Sequence, residues 1–531
     1  MNKKTLKILE FEKIINSLTD MASSEPAKRL CSNLKPSTDI IEIQRNQSHT
    51  TAALDRIRLK GNLSLSGVKD IKDSLKRLEI GSSLSQAELM KILSILNASA
   101  KAISYGLHSD DPEYDVLEEY FRGLDECGPL KKELSRCIIS EEIMADNASP
   151  ELSHIRRKIN QINAKMHTEL NRILNAHREY LMDAVITQRD GAYCLPIKSE
   201  YKNKVAGVVH DQSSTGSTVF IEPLAIIRMN NELKSLSMDE KKEIEKILES
   251  LSLFAADYIN ILENNSKNLI FLDFVYAKAN LSKKMNGSEP KFNSKHYINI
   301  KEGRHPLLDT KKVVPINISL GDTYDLLIIT GPNTGGKTVS LKTVGLFTIM
   351  GQSGLHIPAF EGSELSVFSD VFADIGDEQS IEQSLSTFSG HMKNIVYILN
   401  HADANSLCLF DELCAGTDPT EGAALAISIL SFLHRMQSRC IATTHYSELK
   451  VFALNEPGVE NASCEFDVAT LSPTYRILIG VPGKSNAFAI AGKLGLPDYI
   501  ISEADTHLEK DAKDFEDLLT RLENDRQIIE K

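Results

Sequence analysis

Apolar residues recur at alternating intervals of three and four over residues 149–182, as they do along one face of a long helix. The positions in this row are Leu152, Ile155, Ile159, Ile162, Met166, Leu170 and Ile173. Ser149 and Pro150 precede it as a cap and a first-turn proline. A second helical pattern runs from Leu224 to Leu262. The spacing therefore predicts two long helices of coiled-coil type.

The segment between these helices is rich in strand-forming residues. Its apolar stretches are residues 185–187, 193–197 and 219–221. Two long helices leading to and from such a module predict an antiparallel stalk with a β-rich tip around 184–223. The tip has basic character at Lys198, Lys202 and Lys204, with Tyr201 among them. This composition fits either a solvated hairpin face, which is the commoner case, or a weak nucleic-acid contact.

The N-terminal 150 residues have the pattern of helices joined by polar connections. One helix start is marked by Ser85 followed three residues later by Glu88, the signature of a capping box. No chemistry is indicated in this region, and we expect a helical scaffold.

A buried strand, a glycine-rich loop and a helix follow one another from residue 325 to 350. The strand is predicted over 325–330, where the residues are apolar and β-branched, and the helix over 339–350. The loop between them matches G-x-x-x-x-G-K-[ST] in full and consists of Gly331, Pro332, Asn333, Thr334, Gly335, Gly336, Lys337 and Thr338. Its backbone N–H groups would hold phosphate oxygens, Lys337 would reach the β/γ-phosphates of ATP, and the Thr338 hydroxyl would bind Mg²⁺. An inert glycine-rich turn is the alternative.

Two further apolar strands carry polar residues at their carboxyl ends. Residues 407–410 lead into Asp411 and Glu412, and residues 440–444 lead into His445. We expect Asp411 to hold Mg²⁺, Glu412 to polarise the attacking water, and His445 to sense the γ-phosphate. Ligands of α/β proteins bind at the carboxyl ends of strands, which favours this interpretation over a structural histidine.

Composition and charge mainly exclude certain classes of protein. The 531 residues are 42% hydrophobic and 25% charged, as in ordinary globular chains of several domains. A net charge of −13 argues against non-specific coating of nucleic acid. There is no membrane-spanning run, no secretory signal and no zinc spacing among the eight cysteines, so we expect a cytoplasmic protein without a membrane partner. Cys408, Cys414 and Cys440 are expected to be small buried hydrophobes.

Two segments predict that the nucleotide site is completed by another subunit. Residues 385–392 offer hydroxyls and small side chains at the start of a predicted helix, and residues 416–422 are predicted to form a turn after the carboxylate pair. The order of P-loop, signature helix, carboxylate pair, loop and switch histidine is that of ABC-type ATPases, in which the signature helix of one protomer closes on its partner's nucleotide. A homodimer is therefore expected.

Several stretches of the sequence resemble the MutS family. The stretches that carry the resemblance are residues 304–307, 331–338, 349–359, 386–392, 410–422 and 442–449, and residues 190–223 are similar to the second bacterial subfamily. The resemblance implies that Ser386 acts across the dimer as the signature hydroxyl, with Asn333 near it. It also implies that residues 479–486, followed by a helix through Leu494, help to pack the ATPase dimer.

The fold class expected from the resemblance is multidomain α and α/β. It comprises a helical core, long antiparallel lever helices with a small β clamp, and an ABC-type P-loop ATPase domain. The expected bounds are 1–150 and 266–310 for the core, 151–265 for the levers and clamp, 311–505 for the ATPase, and 506–531 for the start of a charged helix. In this subfamily that helix leads to a β-barrel and an Smr nuclease domain, so nuclease activity is not expected of these residues. Recognition of a mispaired base in the manner of the repair proteins is not expected either, because no domain precedes the core.

Three functions remain open from the sequence. The first is a dimeric ATP-driven clamp on branched or mismatched DNA that suppresses recombination. The second is an ATPase that binds stalled or collided ribosomes through rRNA and separates the subunits. The third is a structural dimer switched by ATP without significant turnover, which the full set of hydrolytic residues disfavours.

Overall fold

The computed structural model describes residues 1–107, 115–189, 191–331, 335–376, 387–467, 472–483 and 487–507. The chain packs into two compact units. The first unit contains residues 1–66, 109–119 and 270–531, and the second contains 67–108 and 120–269. Residues 1–66 thus belong to the same compact unit as the C-terminal half.

Helices of the first unit surround two sheets. They are α1 (Lys3–Ile8), α2 (Phe11–Thr19), α3 (Glu25–Ser32), α4 (Ile40–Lys60), the C-terminal part of α11 (Ile259–Met285), α12 (Lys337–Gln352), α13 (Thr387–His401), α14 (Pro419–Arg435), α15 (Ser447–Asn455), α16 (Ala487–Lys493) and α17 (Asp498–Thr506). Another short helix, α7 (Glu118–Arg122), lies where the two units divide.

The larger sheet of this unit determines where ligands can bind. Its strands are β8 (Leu326–Thr330), β10 (Asp370–Asp374), β11 (Ser406–Phe410), β12 (Arg439–Thr443), β13 (Val459–Asp467) and β14 (Ser472–Ile479). Their order among the described residues is β10-β11-β12-β8-β13-β14, and every pairing except that of β13 with β14 is parallel. The three strands predicted from apolar runs are confirmed as β8, β11 and β12. The carboxyl ends of five strands therefore meet at one edge.

The alternation of side chains along β8 divides the core of this unit into two parts. Leu327 and Ile329 face a cluster that contains residues of α12, and Leu326 and Ile328 face one built with α13, α14 and α15. Leu9, the C-cap of α1, also belongs to the first cluster, together with Phe11, Ile14 and Leu18 of α2. This shared burial is the physical reason why the N-terminal helices pack with the sheet.

A smaller sheet completes the first unit. Its strands are β5 (Lys291–Asn293), β6 (Ile298–Gly303), β7 (Ile316–Leu320) and β9 (Glu364–Ser366), in the order β5-β9-β6-β7.

The far end of α12 is held by side chains from other helices of the unit. Gln47 Nε2 donates to the carbonyls of Gly351 at 2.8 Å and Leu355 at 2.9 Å. Thr50 Oγ1 donates to the carbonyl of Gly354 at 2.8 Å, and Lys278 Nζ donates to that of Ser353 at 3.2 Å. The last carbonyls of a helix lack intrahelical partners, so these contacts fix the axial position of the helix that begins at Lys337.

The second unit is built on the two long helices. Its helices are α5 (Lys72–Glu79), α6 (Gln86–Gly106), α8 (Gly128–Cys137), α9 (Pro150–Ala176), α10 (Leu224–Ala256) and the start of α11. The capping box of Ser85 and Glu88 is confirmed at the start of α6. Both long helices are shorter than predicted, since α9 ends at Ala176 and α10 at Ala256.

Helices α9 and α10 pack antiparallel. Arg156 Nε, near the start of α9, lies 2.7 Å from Glu240 Oε1, in the second half of α10. Leu170, near the end of α9, shares a cluster with Ile226, at the start of α10.

The β-rich segment of this unit forms one sheet. Its strands are β1 (Thr187–Arg189), β2 (Ala192–Lys198), β3 (Gly207–Gln212) and β4 (Thr218–Pro223), in the order β1-β2-β4-β3. Strand β1 starts two residues later than predicted. The sequence analysis missed β3, whose residues are all exposed and show no apolar face. Lys202 and Lys204 are exposed, whereas Lys198 Nζ donates to the carbonyl of Glu179 at 3.2 Å.

Two further predictions from the sequence concern membrane-spanning helices and the burial of three cysteines. Across the described ranges, no helix is both long and apolar enough to cross a membrane. Cys408, Cys414 and Cys440 are buried, as predicted.

Candidate nucleotide-binding site

The ends of three strands bring the predicted chemistry together. The loop after β8 leads to Lys337, β11 ends just before Asp411 and Glu412, and β12 ends two residues before His445. These strands are adjacent in the sheet, so residues separated by more than a hundred positions lie within contact distance. Long-range parallel pairing, rather than proximity in sequence, assembles the site.

Lys337 lies at the centre of the site and is 1% exposed. Its Nζ donates to the carbonyl of Gly331 at 2.7 Å and lies 3.2 Å from His445 Nε2. Burial lowers the pKa of Lys337 to about 8, against the opposing effect of the nearby carboxylates. A buried ammonium lacking an ion pair at salt-bridge distance among the described residues suits a phosphate ligand, which would stabilise its charge.

The backbone around Lys337 also suits an anion. Helix α12 begins at Lys337, and Gly336 before it has a φ of +91°, a conformation that glycine adopts without strain. A Cβ at Gly336 would lie 3.0 Å from Cδ1 of Tyr475. The first N–H groups of α12 point towards the loop, and the helix dipole favours negative charge there.

Thr338 and Asp411 supply oxygen ligands for a cation. Thr338 Oγ1 donates to Asp411 Oδ2 at 2.6 Å, and Thr443 Oγ1 donates to Asp411 Oδ1 at 2.6 Å. No group of three or more His, Cys, Asp or Glu side chains is arranged for a metal within the described residues. The hydroxyl of Thr338 and the carboxylate of Asp411 form a donor set suited to Mg²⁺, which prefers a carboxylate, water and substrate phosphates to an all-protein cage. The residues present therefore fit Mg²⁺.

Glu412 and His445 lie at the open side of the site. Glu412 Oε1 is 3.5 Å from His445 Nε2, and the two side chains are 39% and 47% exposed. Burial, and then the charge of Lys337, lower the pKa of His445. Glu412 has a φ of +51°, an uncommon conformation for a residue other than glycine, and such strain concentrates at functional sites. A histidine shifted towards its neutral form and a carboxylate are thus available to water and ligand.

A cavity beside α12 extends the site. Its volume is about 370 Å³, and its lining includes Leu308, Val313, Val339, Thr343 and Tyr475. The lining also contains Gly336, so the cavity opens next to the phosphate-binding loop. An aromatic ring and aliphatic side chains suit a flat heterocycle such as a nucleobase. The sequence analysis missed this pocket, since no motif marks Val313 or Tyr475 and only the 304–307 stretch drew attention to the region.

The neighbouring helices are anchored by polar contacts. Asp418 caps α14 by accepting from the N–H groups of Thr420 at 3.0 Å and Glu421 at 3.1 Å, which explains the turn predicted over 416–422. The helix predicted after residue 385 is α13, and its His391 Nδ1 lies 2.9 Å from Asp374 Oδ2 at the end of β10.

The predicted site residues divide into those that the structure brings together and those that it does not describe. The loop and strand-end residues Gly331, Gly335, Gly336, Lys337, Thr338, Asp411, Glu412 and His445 lie at one edge of the sheet. Pro332, Asn333, Thr334 and Ser386 lie outside the described residues. The assignment of both groups of residues to nucleotide binding stays a prediction.

Comparison with known proteins agrees with this layout. The family profile described as MutS domain V matches residues 327–511. A protein named Endonuclease MutS2 from Lachnoclostridium phytofermentans is 58% identical over 539 residues, with all of this chain and 68% of the relative covered. Proteins of the same name from Agathobacter rectalis and Clostridioides difficile are 56% and 50% identical, and 67% of each is covered. At this identity and coverage, the chain belongs to the MutS family, in its MutS2 subfamily.

Proposed function

We propose that this chain is a Mg²⁺-dependent ATPase that works as a homodimer on nucleic acid. The observation that supports it best is the convergence of Lys337, Thr338, Asp411, Glu412 and His445 at one sheet edge. Each residue has the chemical character that one step of phosphoryl transfer to water requires. The relatives bear the name endonuclease, whereas the proposal concerns hydrolysis of a nucleotide at this edge.

The roles follow from the contacts of each side chain. Lys337 binds the β/γ-phosphates, because its buried ammonium and the N-terminus of α12 point into the same space. Thr338 and Asp411 hold Mg²⁺, which when bound neutralises charge on those phosphates. Glu412 orients water and accepts its proton, and neutral His445 holds the γ-phosphate beside Lys337.

The cavity next to the loop is the proposed site for the base. We expect Tyr475→Ala to raise the Kd for ATP about tenfold, because the ring supplies one wall of the pocket. Affinity for inorganic triphosphate, which has no base, should stay as in the parent, and Tyr475→Phe should keep the parent affinity for ATP. Isothermal titration with both ligands measures this. An equal loss for ATP and triphosphate would show that Tyr475 supports the loop rather than the base.

Dimerisation is proposed from apolar exposure near the end of the described chain. Leu494 is 79% exposed and Tyr499 71% exposed, in the region of α16 and α17. Large apolar side chains at such exposure are typical of an interaction surface. Sedimentation velocity of Glu412→Gln with ATP and Mg²⁺ tests this. A doubled mass that depends on ATP supports the dimer, and a monomer at micromolar concentration contradicts it.

The proposed target is branched or mismatched DNA, and the ribosome is the other outcome of the test. The exposed Lys202 and Lys204 at the tip of the second unit provide charge for backbone phosphates of either. Glu412→Gln protein held with ATP and Mg²⁺ is sedimented with four-way DNA junctions or with ribosomes, near physiological salt. Retention on junctions supports the DNA clamp. Retention on ribosomes alone would replace it with ribosome rescue, and retention on neither would contradict nucleic-acid binding by this chain.

A further inference from the structure

Thr443, the last residue of β12, connects two of the proposed catalytic groups through one hydroxyl. It is 0% exposed. Its Oγ1 donates to Asp411 Oδ1 at 2.6 Å and accepts from the backbone N–H of Glu412 at 2.8 Å. The Thr443 carbonyl also accepts from the N–H of Leu413 at 3.1 Å. Three consecutive residues after β11 are thus bound to one threonine.

The two hydroxyl contacts act on different parts of the site. The hydroxyl has a single proton, and donating it to Oδ1 leaves Oδ2 of Asp411 facing Thr338. This fixes which carboxylate oxygen is available to a cation. The same hydroxyl accepts from the backbone N–H of Glu412, a residue with an uncommon φ of +51°. Accepting from that N–H therefore stabilises the backbone conformation that presents the Glu412 carboxylate.

We propose that Thr443 is a positioning residue that orients the metal-binding carboxylate and the water-activating carboxylate together. The inference rests on the proposed function, since it assigns Asp411 to Mg²⁺ and Glu412 to water. It adds a residue that acts through the two groups it holds.

The alternative is that Thr443 serves only the packing of β12. Thr443→Val separates the two, because valine keeps the shape and β-branching while it removes the hydroxyl. Thr443→Ser keeps the hydroxyl and loses the methyl group. Thr348→Val is the matched control, since Thr348 is also 0% exposed and its hydroxyl donates within α12, to the carbonyl of Val344 at 2.9 Å.

The test compares Kd for ATP in Mg²⁺ with Kd in EDTA by titration, and adds steady-state turnover. In the parent, Mg²⁺ should tighten ATP binding. We expect Thr443→Val to reduce this metal-dependent gain, and kcat, by about 10- to 100-fold, the usual effect of losing a partner of a metal ligand. Kd in EDTA should change little. Thr443→Ser should restore both quantities, and Thr348→Val should match the parent.

The outcomes separate this inference from the proposed function. If Asp411→Asn abolishes the metal-dependent gain but Thr443→Val leaves it and kcat unchanged, Thr443 is structural and only the inference is wrong. The same holds if Thr443→Ser fails to rescue while its thermal unfolding matches the parent. If the parent shows no metal-dependent gain, the magnesium site itself is wrong and both are overturned.

Discussion

Replacing Glu412 by glutamine is expected to lower ATP turnover by about 100- to 10,000-fold, the range attributed to a positioned general base. Glutamine preserves the shape and its amide oxygen can still accept from His445, but it has no negative charge with which to polarise water. Binding of ATP should persist, because Lys337, Thr338 and Asp411 are unchanged. The measurement is phosphate release under saturating Mg²⁺ and ATP, paired with a Kd from titration.

The matched control for this experiment is Glu448→Gln. Glu448 is an exposed glutamate in the first turn of α15, three residues after His445. The Glu448→Gln variant should hydrolyse ATP at the parent rate. Turnover in Glu412→Gln within a few-fold of this control would remove Glu412 from its proposed role and would favour an ATP-switched structural dimer.

Replacing Lys337 by methionine is expected to weaken ATP binding by about 10- to 100-fold, since charge-assisted contacts with phosphate are lost. Methionine fills a similar volume and removes a cation whose pKa burial lowers to about 8. The ATP-free protein should therefore be no less stable than the parent. Differential scanning fluorimetry should show that Mg²⁺ and ATP raise the Tm of the parent but not that of the variant.

Lys342→Met controls for the loss of a lysine from the same helix. Lys342 lies on α12 and its Nζ is 3.5 Å from Glu10 Oε2, away from the strand ends. Mg²⁺ and ATP should still raise the Tm of the Lys342→Met variant. A variant of Lys337 that ATP stabilises as strongly as the parent would contradict phosphate binding at this lysine.

The sequence could predict those parts of the site that are determined by residues close together along the chain. Strand β8 is apolar and buried along its whole length, and the glycine loop that follows it directly precedes the helix that begins at Lys337. Asp411 and His445 could be predicted because each follows a short apolar strand, and carboxyl ends of parallel strands share one edge. The sequence therefore indicated the chemical character of the site residues and the edge of the sheet at which they lie.

The features that the sequence could not predict depend on contacts between residues that are distant along the chain. Tyr475 reaches the loop only because β14 joins the sheet beside β13, more than a hundred residues after Val313. Thr443 has no distinguishing pattern, and its role arises from the register that places β12 next to β11. The exposed strand β3 shows no alternation, since neither of its faces is buried.

The central claim, that ATP and Mg²⁺ bind at this sheet edge, is tested most directly by a crystal structure of Glu412→Gln with both. The account predicts phosphates within hydrogen-bonding distance of Lys337 Nζ and the first turn of α12, and a metal ligated by Thr338 and Asp411. The base should lie against Tyr475. A nucleotide bound away from Lys337, or a metal held by other residues, would contradict the account.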